Sequence, residues 1–366
     1  MSTFAKRWAL RRSVLAAVLL LFTLPLLGRE KVECIANFQI DPAFLTQALH
    51  ERGLQDVDVV ATDISKYFSQ MLKPSQSSRF VRWFGKLGIE LRPPVQIDPD
   101  VRKIVFFNLS PTMIHRLDFG RLPKDKIVLF MWEPRTVIRK MYQPELHAYF
   151  SKVYTWDDSL VDGLQYFKFN YPVWQPFFAP VFPSFQEKKL CTMMASNLHS
   201  KDPNSIYHER TRTIEYFEAC GEDGFEFYGR HWPDGCYRSY RGTVPIPEKL
   251  STIKHYRFMI CYENTQGVPG YITEKIFECF AAGVVPVYWG ASNVADAIPK
   301  NCFIDRRDFA TFEALHRCMR EMPEAEYARY LQNIAAYLES EPAQRFSARA
   351  FGDAFFEAVG GEGTED

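Results

Sequence analysis

Two groups of residues have the types and spacing to do chemistry. The first lies in YRFMICYENTQGVPGYITEKIFECFAAGVVPVYWG, from Tyr256 to Gly290. Ile276, Phe277, Phe280 and Ala281 recur at helical spacing, with Gly283 as the stop, which places Thr273, Glu274 and Lys275 in or beside the helix's first turn. A helix start offers unpaired N–H groups and the positive end of the dipole, and Lys275 adds a full charge, so this end suits an anion. Glu263 and Asn264 stand just past an apolar strand, Phe258 to Tyr262, on the side where open α/β sheets take ligands. Gly267 and Gly270 let the connecting backbone approach a ligand closely. The second group is Glu133 in FMWEPRTV, directly after the apolar run Ile127 to Trp132. A strand-end carboxylate can act as a base, whereas pairing with Arg135 would lower its pKa and weaken it. Asp157 and Asp158 in YTWDDS are rival carboxylates, and such a pair can also hold a divalent metal under a diphosphate. Arg210 opens a further helix, with Arg212 as its local rival. Ser196, Asn197 and Tyr228 sit at strand ends, and Lys254 is a further cation; these four are weaker candidates for the same ligand.

The elements that must position these groups alternate between strand and helix. Cys34 to Ile40 reads as a strand, Asp41-Pro42 as a cap and first turn of a helix to Arg52, and Val57 to Ala61 as the next strand. Further strands fall at Lys103 to Phe107, Ile127 to Trp132 and Lys152 to Trp156. Prolines 172, 176, 180 and 183 mark a packed linker. Beyond it come strands at Lys189 to Ala195, Phe225 to Tyr228, Phe258 to Tyr262, Val284 to Tyr288 and Cys302 to Ile304, with helices over Arg212 to Cys220 and from about Phe309 and Glu324. Such alternation implies parallel sheets covered on both faces, an α/β class with two domains. The expected division is a hydrophobic leader over 1–30, α/β domains over 31–180 and 181–355, and a disordered tail over 356–366.

Composition excludes several classes. Lys plus Arg equals Asp plus Glu at 44 each, which argues against a nucleic-acid partner. The eight cysteines show no CxxC and no Cys/His ligand spacing, so no structural metal is expected and the disulfide state stays open. Cys191, Cys261 and Cys279 read as small buried apolar groups. Phosphate-loop, HExxH and GxSxG signatures are absent. Asn108-Leu109-Ser110 has the form of a glycosylation sequon, although Pro111 follows it. Lys6, Arg7, Arg11 and Arg12 precede the apolar run Val14 to Leu27. With no small-x-small cleavage site after it, this reads as an uncleaved signal anchor engaging a membrane through residues 13–28, against a cleaved signal peptide as the alternative.

The string YENTQGVPGYITEKIF, followed by AAGVVPVYWGASNV and IPKNCFID, closely resembles the signature of the α1,3/α1,4-fucosyltransferases, glycosyltransferase family 10. The resemblance is dense from about Leu250 to Phe309 and thinner elsewhere. It implies two Rossmann-like domains facing across a cleft (the GT-B type), GDP-fucose as donor, and a glycan acceptor fucosylated with inversion, α1,3 to N-acetylglucosamine. Sugar transfer from a nucleoside diphosphate needs a base for the acceptor hydroxyl and positive groups for the departing diphosphate. By the resemblance Glu133 is that base, Arg210, Asn264 and Tyr271 contact the diphosphate with Lys275, and Glu274 accepts from the ribose hydroxyls. It implies no obligatory cofactor, with Mn²⁺ stimulation left open, and a single-pass type II membrane protein, in the Golgi of a eukaryote or the envelope or cytoplasmic membrane of a bacterium. The alternatives are a GT-B transferase with another nucleotide sugar or acceptor, and a catalytically silent glycan-binding protein of the same fold.

Overall fold

The computed structural model describes residues 29–36, 41–72, 95–174, 182–221 and 224–360. The expected leader therefore lies outside the described residues, apart from Arg29 and Glu30, and so does the 175–181 stretch that carries the expected domain boundary. No helix among the described residues is long and apolar enough to cross a membrane.

The N-terminal sheet holds β1 (Glu30–Ala36), β2 (Val57–Ala61), β3 (Val101–Phe107), β4 (Ile127–Met131), β5 (Lys152–Thr155) and β6 (Tyr166–Lys168) in the order β2-β1-β3-β4-β5-β6. The C-terminal sheet holds β7 (Lys189–Met194), β8 (Phe225–Tyr228), β9 (Tyr256–Tyr262), β10 (Val285–Trp289) and β11 (Ile304–Asp305) in the order β11-β10-β9-β7-β8. Every pairing in both sheets is parallel. Parallel sheets are covered on both faces, which is why β4, IVLFM, is buried at all five positions. The main helices are α1 (Pro42–Glu51), α2 (Tyr207–Ala219), α3 (Glu274–Ala281), α4 (Phe312–Glu321), α5 (Glu324–Leu338) and α6 (Ala348–Ala358). The expected α/β class with two parallel sheets is what the chain forms.

Two expectations need correction. The first strand starts at Glu30 rather than Cys34. Its charged residues hid it: Glu30 pairs with Arg102, and buried Glu33 is satisfied by Lys66 and the Tyr67 hydroxyl. The second concerns the chain's end. Helix α6 belongs to the first domain's core, where Phe351, Phe355 and Phe356 pack with Val105, Phe107, Phe130 and Tyr154. Phe355 stacks on Phe107 with ring centroids 6.3 Å apart. The helix runs through Ala358, and Arg102 holds the carbonyls of Val359 and Gly360, so order extends past the expected limit at 355. Residues 361–366 lie outside the described residues.

Because α6 carries aromatic rings into the N-terminal core, Phe355→Ala is expected to cost about 3–5 kcal/mol. Urea unfolding followed by tryptophan fluorescence measures it, and a loss below about 1 kcal/mol would contradict this packing.

Candidate functional site

The carboxyl ends of the C-terminal strands converge on one edge. There β9 ends in Tyr262 and delivers Glu263, Asn264 and Thr265. Glu263 is completely buried. Its carboxylate accepts from the Thr273 backbone N–H (2.9 Å) and from Thr273 Oγ1, and it pairs with Lys275 Nζ at 2.9 Å. Thr273 also donates the N-cap of α3, its Oγ1 accepting from the Lys275 N–H. The helix start is therefore welded to the strand end. Glycine is required at 290 because a Cβ there would overlap the Tyr288 hydroxyl and Glu263 Cγ. Burial disfavours the Lys275 ammonium, but Glu263 and Glu274 more than offset it and hold its pKa above the ordinary lysine value. Glu274, half exposed, is pushed up by burial and pulled further down by Lys275 and Lys249, so its carboxyl stays below the usual range.

Arg210 enters from the first turn of α2 and is almost fully buried. One Nη donates to the Tyr262 carbonyl (2.6 Å) and to Asn264 Oδ1 (3.0 Å), while Nε has no partner. No carboxylate hydrogen-bonds to it, and burial pulls its pKa below the ordinary arginine value. A buried guanidinium held only by carbonyl oxygens is matched to an incoming anion. Its rival Arg212 turns to the surface, bonded to Glu209 at 2.7 Å.

Ser196 and Asn197 lie on the same edge and knit the ends of β7 and β8: Ser196 Oγ accepts from the Arg230 N–H, and the Asn197 N–H donates to the Arg230 carbonyl. Two expected contacts fall away. The Tyr228 hydroxyl is engaged 2.9 Å from that of Tyr256, the first residue of β9, which in turn donates to Glu226. Lys254 caps the short helix before β9, at the end of that seven-residue strand opposite Asn264, and its ammonium makes no hydrogen bond or ion pair among the described residues. A strand of that length separates the two ends by roughly 23 Å.

The N-terminal domain contributes Glu133, just past β4. Its carboxylate makes no hydrogen bond or ion pair among the described residues, and Arg135 reaches instead to Asp202 of the other domain (3.3 Å). Burial raises the Glu133 pKa; Lys275 opposes and Glu274 adds to the rise. Those couplings place Glu133 within electrostatic reach of the α3 start. Asp157 and Asp158 are otherwise occupied. Asp157 accepts from the Ser159 N–H and hydroxyl, and Asp158 pairs with Lys168 and accepts from Asn293 Nδ2 at 3.0 Å. No group of three metal-ligating side chains occurs among the described residues.

Tyr271 and Gly270 bind the domains together. The Tyr271 ring packs 4.4 Å from Trp156 and 6.1 Å from Tyr171, both in the N-terminal core. Gly270, at φ +82°, presses its backbone against the Trp156 carbonyl and Asp158, so this glycine serves a domain contact rather than a ligand approach. The role of Glu263 as the anchor of Lys275 was not legible in the sequence, since nothing in a strand-end glutamate says that its partners stand 10 and 12 residues on.

Residues 184–349 match the C-terminal domain of glycosyltransferase family 10 (fucosyltransferase), and the C-terminal half of this chain is a domain of that family. An α-(1,3)-fucosyltransferase, FucT, of Helicobacter pylori is 37% identical over 77 residues, covering 20% of this chain and 16% of the relative. An α-(1,4)-fucosyltransferase of Arabidopsis thaliana is 43% identical over 63 residues, 17% of this chain and 16% of the relative. The chain thus aligns with about a sixth of each relative's length. A crystal structure of an α1,3-fucosyltransferase with GDP is 15% identical over 91% of either chain, with a TM-score of 0.49.

Removing Lys275 would strand a fully buried carboxylate. Lys275→Met is therefore expected to cost about 3–5 kcal/mol, and Glu263→Gln combined with Lys275→Met clearly less. Urea unfolding of the two variants beside the parent protein checks this; equal losses in the single lysine variant and the pair would refute the coupling.

Proposed function

We propose that the protein is an inverting fucosyltransferase that moves fucose from GDP-fucose to a hydroxyl of a glycan, α1,3 to N-acetylglucosamine. The observation that supports the mechanism is the Glu133 carboxylate, which makes no hydrogen bond or ion pair among the described residues and interacts electrostatically with Lys275 at the start of α3. Glu133 takes the proton as the acceptor oxygen forms its bond to the anomeric carbon. The bond from that carbon to the diphosphate oxygen breaks on the opposite side, and GDP leaves with the electron pair. Lys275, Arg210 and the first N–H groups of α3 stabilise the charge on the diphosphate. Asn264 and Tyr271 complete the diphosphate contacts, Glu274 accepts from the ribose hydroxyls, and Ser196 and Asn197 line the nucleotide edge. Family membership of the donor domain supports the choice of GDP-fucose. The α1,3 and α1,4 names of the two relatives show that the acceptor linkage varies among similar proteins. With Asp157 and Asp158 held by protein partners, this reading gives Mn²⁺ no obligatory part. The basic-then-apolar leader supports a type II anchor in a Golgi or bacterial membrane.

Release of GDP from GDP-fucose, with and without N-acetyllactosamine, tests the reading. Glu133→Gln is expected to lower kcat by about 10²–10⁴-fold with GDP binding retained. A base is lost on protonation, and the Glu133 pKa is raised, so kcat/KM should fall on acidification through a pKa above the ordinary glutamate value of 4.5. Glycan binding without turnover would mark a silent binding protein, and no binding of GDP-fucose would sink the proposal.

A further inference from the structure

Asn108, the first residue past β3, is buried and sits at φ +62°, one of two described non-glycine residues with a left-handed backbone. Asparagine tolerates this conformation better than most residues but at a cost, and such positions gather where a side chain must be aimed. Its carboxamide oxygen accepts from the backbone N–H of Trp132 and from that of Glu133, both at 2.8 Å. The carbonyls of the same two residues are also held by side chains. Trp156 Nε1 (3.0 Å) and the Tyr171 hydroxyl donate to the Trp132 carbonyl, and the Tyr142 hydroxyl donates to that of Glu133 at 2.9 Å. All four backbone polar groups at the end of β4 are therefore gripped by side chains from other segments, and Asn108 alone supplies the two acceptors. Ladder bonds end at Met131, so these two N–H groups lie beyond the sheet, where the Asn108 side chain reaches them.

We propose that Asn108 is a positioning residue for Glu133: its carboxamide oxygen fixes the two peptide units that aim the Glu133 carboxylate across the cleft. The proposal rests on the reading of Glu133 as the base. The same residue explains the sequon-like Asn108-Leu109-Ser110, which is no glycan acceptor here. Asn108 is buried and takes the left-handed turn, and Ser110 caps the helix Pro111–Arg116. A neutral acceptor is suited to the place, because the Glu133 carboxylate already interacts electrostatically with Lys275 and Glu274, and with the phenols of Tyr142, Tyr171, Tyr207 and Tyr271.

Glycine and aspartate at 108 separate aiming from backbone shape. Glycine accepts φ +62° without strain but has no acceptor; aspartate keeps the acceptor and adds a negative charge near Glu133. In the full-length protein, Asn108→Gly should lower kcat about 100-fold, with KM for GDP-fucose and GDP binding changed less than about twofold. Asn108→Asp should recover most of kcat at high pH, with the acid limb of kcat/KM moved to higher pH. Because Asn108 acts through Glu133, Asn108→Gly combined with Glu133→Gln should be no slower than Glu133→Gln alone. The proposal is overturned if Asn108→Gly keeps kcat within about threefold while Glu133→Gln is impaired. Should Asn108→Gly fail to fold, as loss of GDP binding would report, an Asn108→Asp protein that binds GDP yet stays inactive at all pH values overturns it instead. Full activity in Glu133→Gln would remove the base assignment itself, and the role of Asn108 with it.

Discussion

A carboxylate with no access to solvent, Glu263, lies beside the start of α3, and the arrangement of the strand-end edge around it follows from satisfying it. Burying Glu263 is costly unless its oxygens are hydrogen-bonded and its charge is met locally. Thr273 and Lys275 do this, with the backbone N–H of Thr273 completing the set. The consequence is geometric. Helix α3 must begin at Glu274, its free N–H groups must face the strand ends, and the Lys275 ammonium is held rather than left to its flexible stem. Gly290 follows from the same constraint, since β10 has to pass close to the buried carboxylate.

The second organising feature is the way the two domains share parts. The connection from β9 to α3 belongs to the C-terminal domain, yet Gly270 and Tyr271 seat in the N-terminal one, against Trp156, Asp158 and Tyr171. The Asp158 N–H donates to the Pro269 carbonyl, and Asn293 bridges Asp158 to the Gly270 N–H. Helix α6 crosses in the same direction. Glu133 at one strand end thus comes within electrostatic reach of Lys275 at the start of α3. Arg135 contributes indirectly: it pairs with Asp202 and not with Glu133, and burial keeps the Glu133 carboxylate a stronger base than a solvated one although Lys275 opposes the rise.

Periodicity, caps and breakers made much of this architecture readable in the sequence. Apolar runs such as Ile127 to Met131 announce a strand buried on both faces, and Asp41-Pro42 and Thr273 announce helix starts whose caps the structure contains. Strand-end placement singled out Glu133 and Asn264, because in parallel sheets the chain order itself decides which edge collects the loops, and the helix start singled out Lys275. Local signals were weakest where charges sit inside the fold. Glu33 concealed the start of β1, and α6 reads as an ordinary terminal helix with nothing local to say which core receives it.

The sequence by itself determined the class of fold, the helix start at Thr273 to Lys275 and the strand-end carboxylate, since each follows from spacing within one short stretch. Only the tertiary structure decided pairings between distant segments. It sent Arg135 to Asp202, turned Tyr228 toward Tyr256, left Lys254 at the far end of β9, and set Asn108 on the backbone of Trp132 and Glu133. Those choices depend on which charged and polar groups are brought together once water is excluded, and no local pattern encodes that.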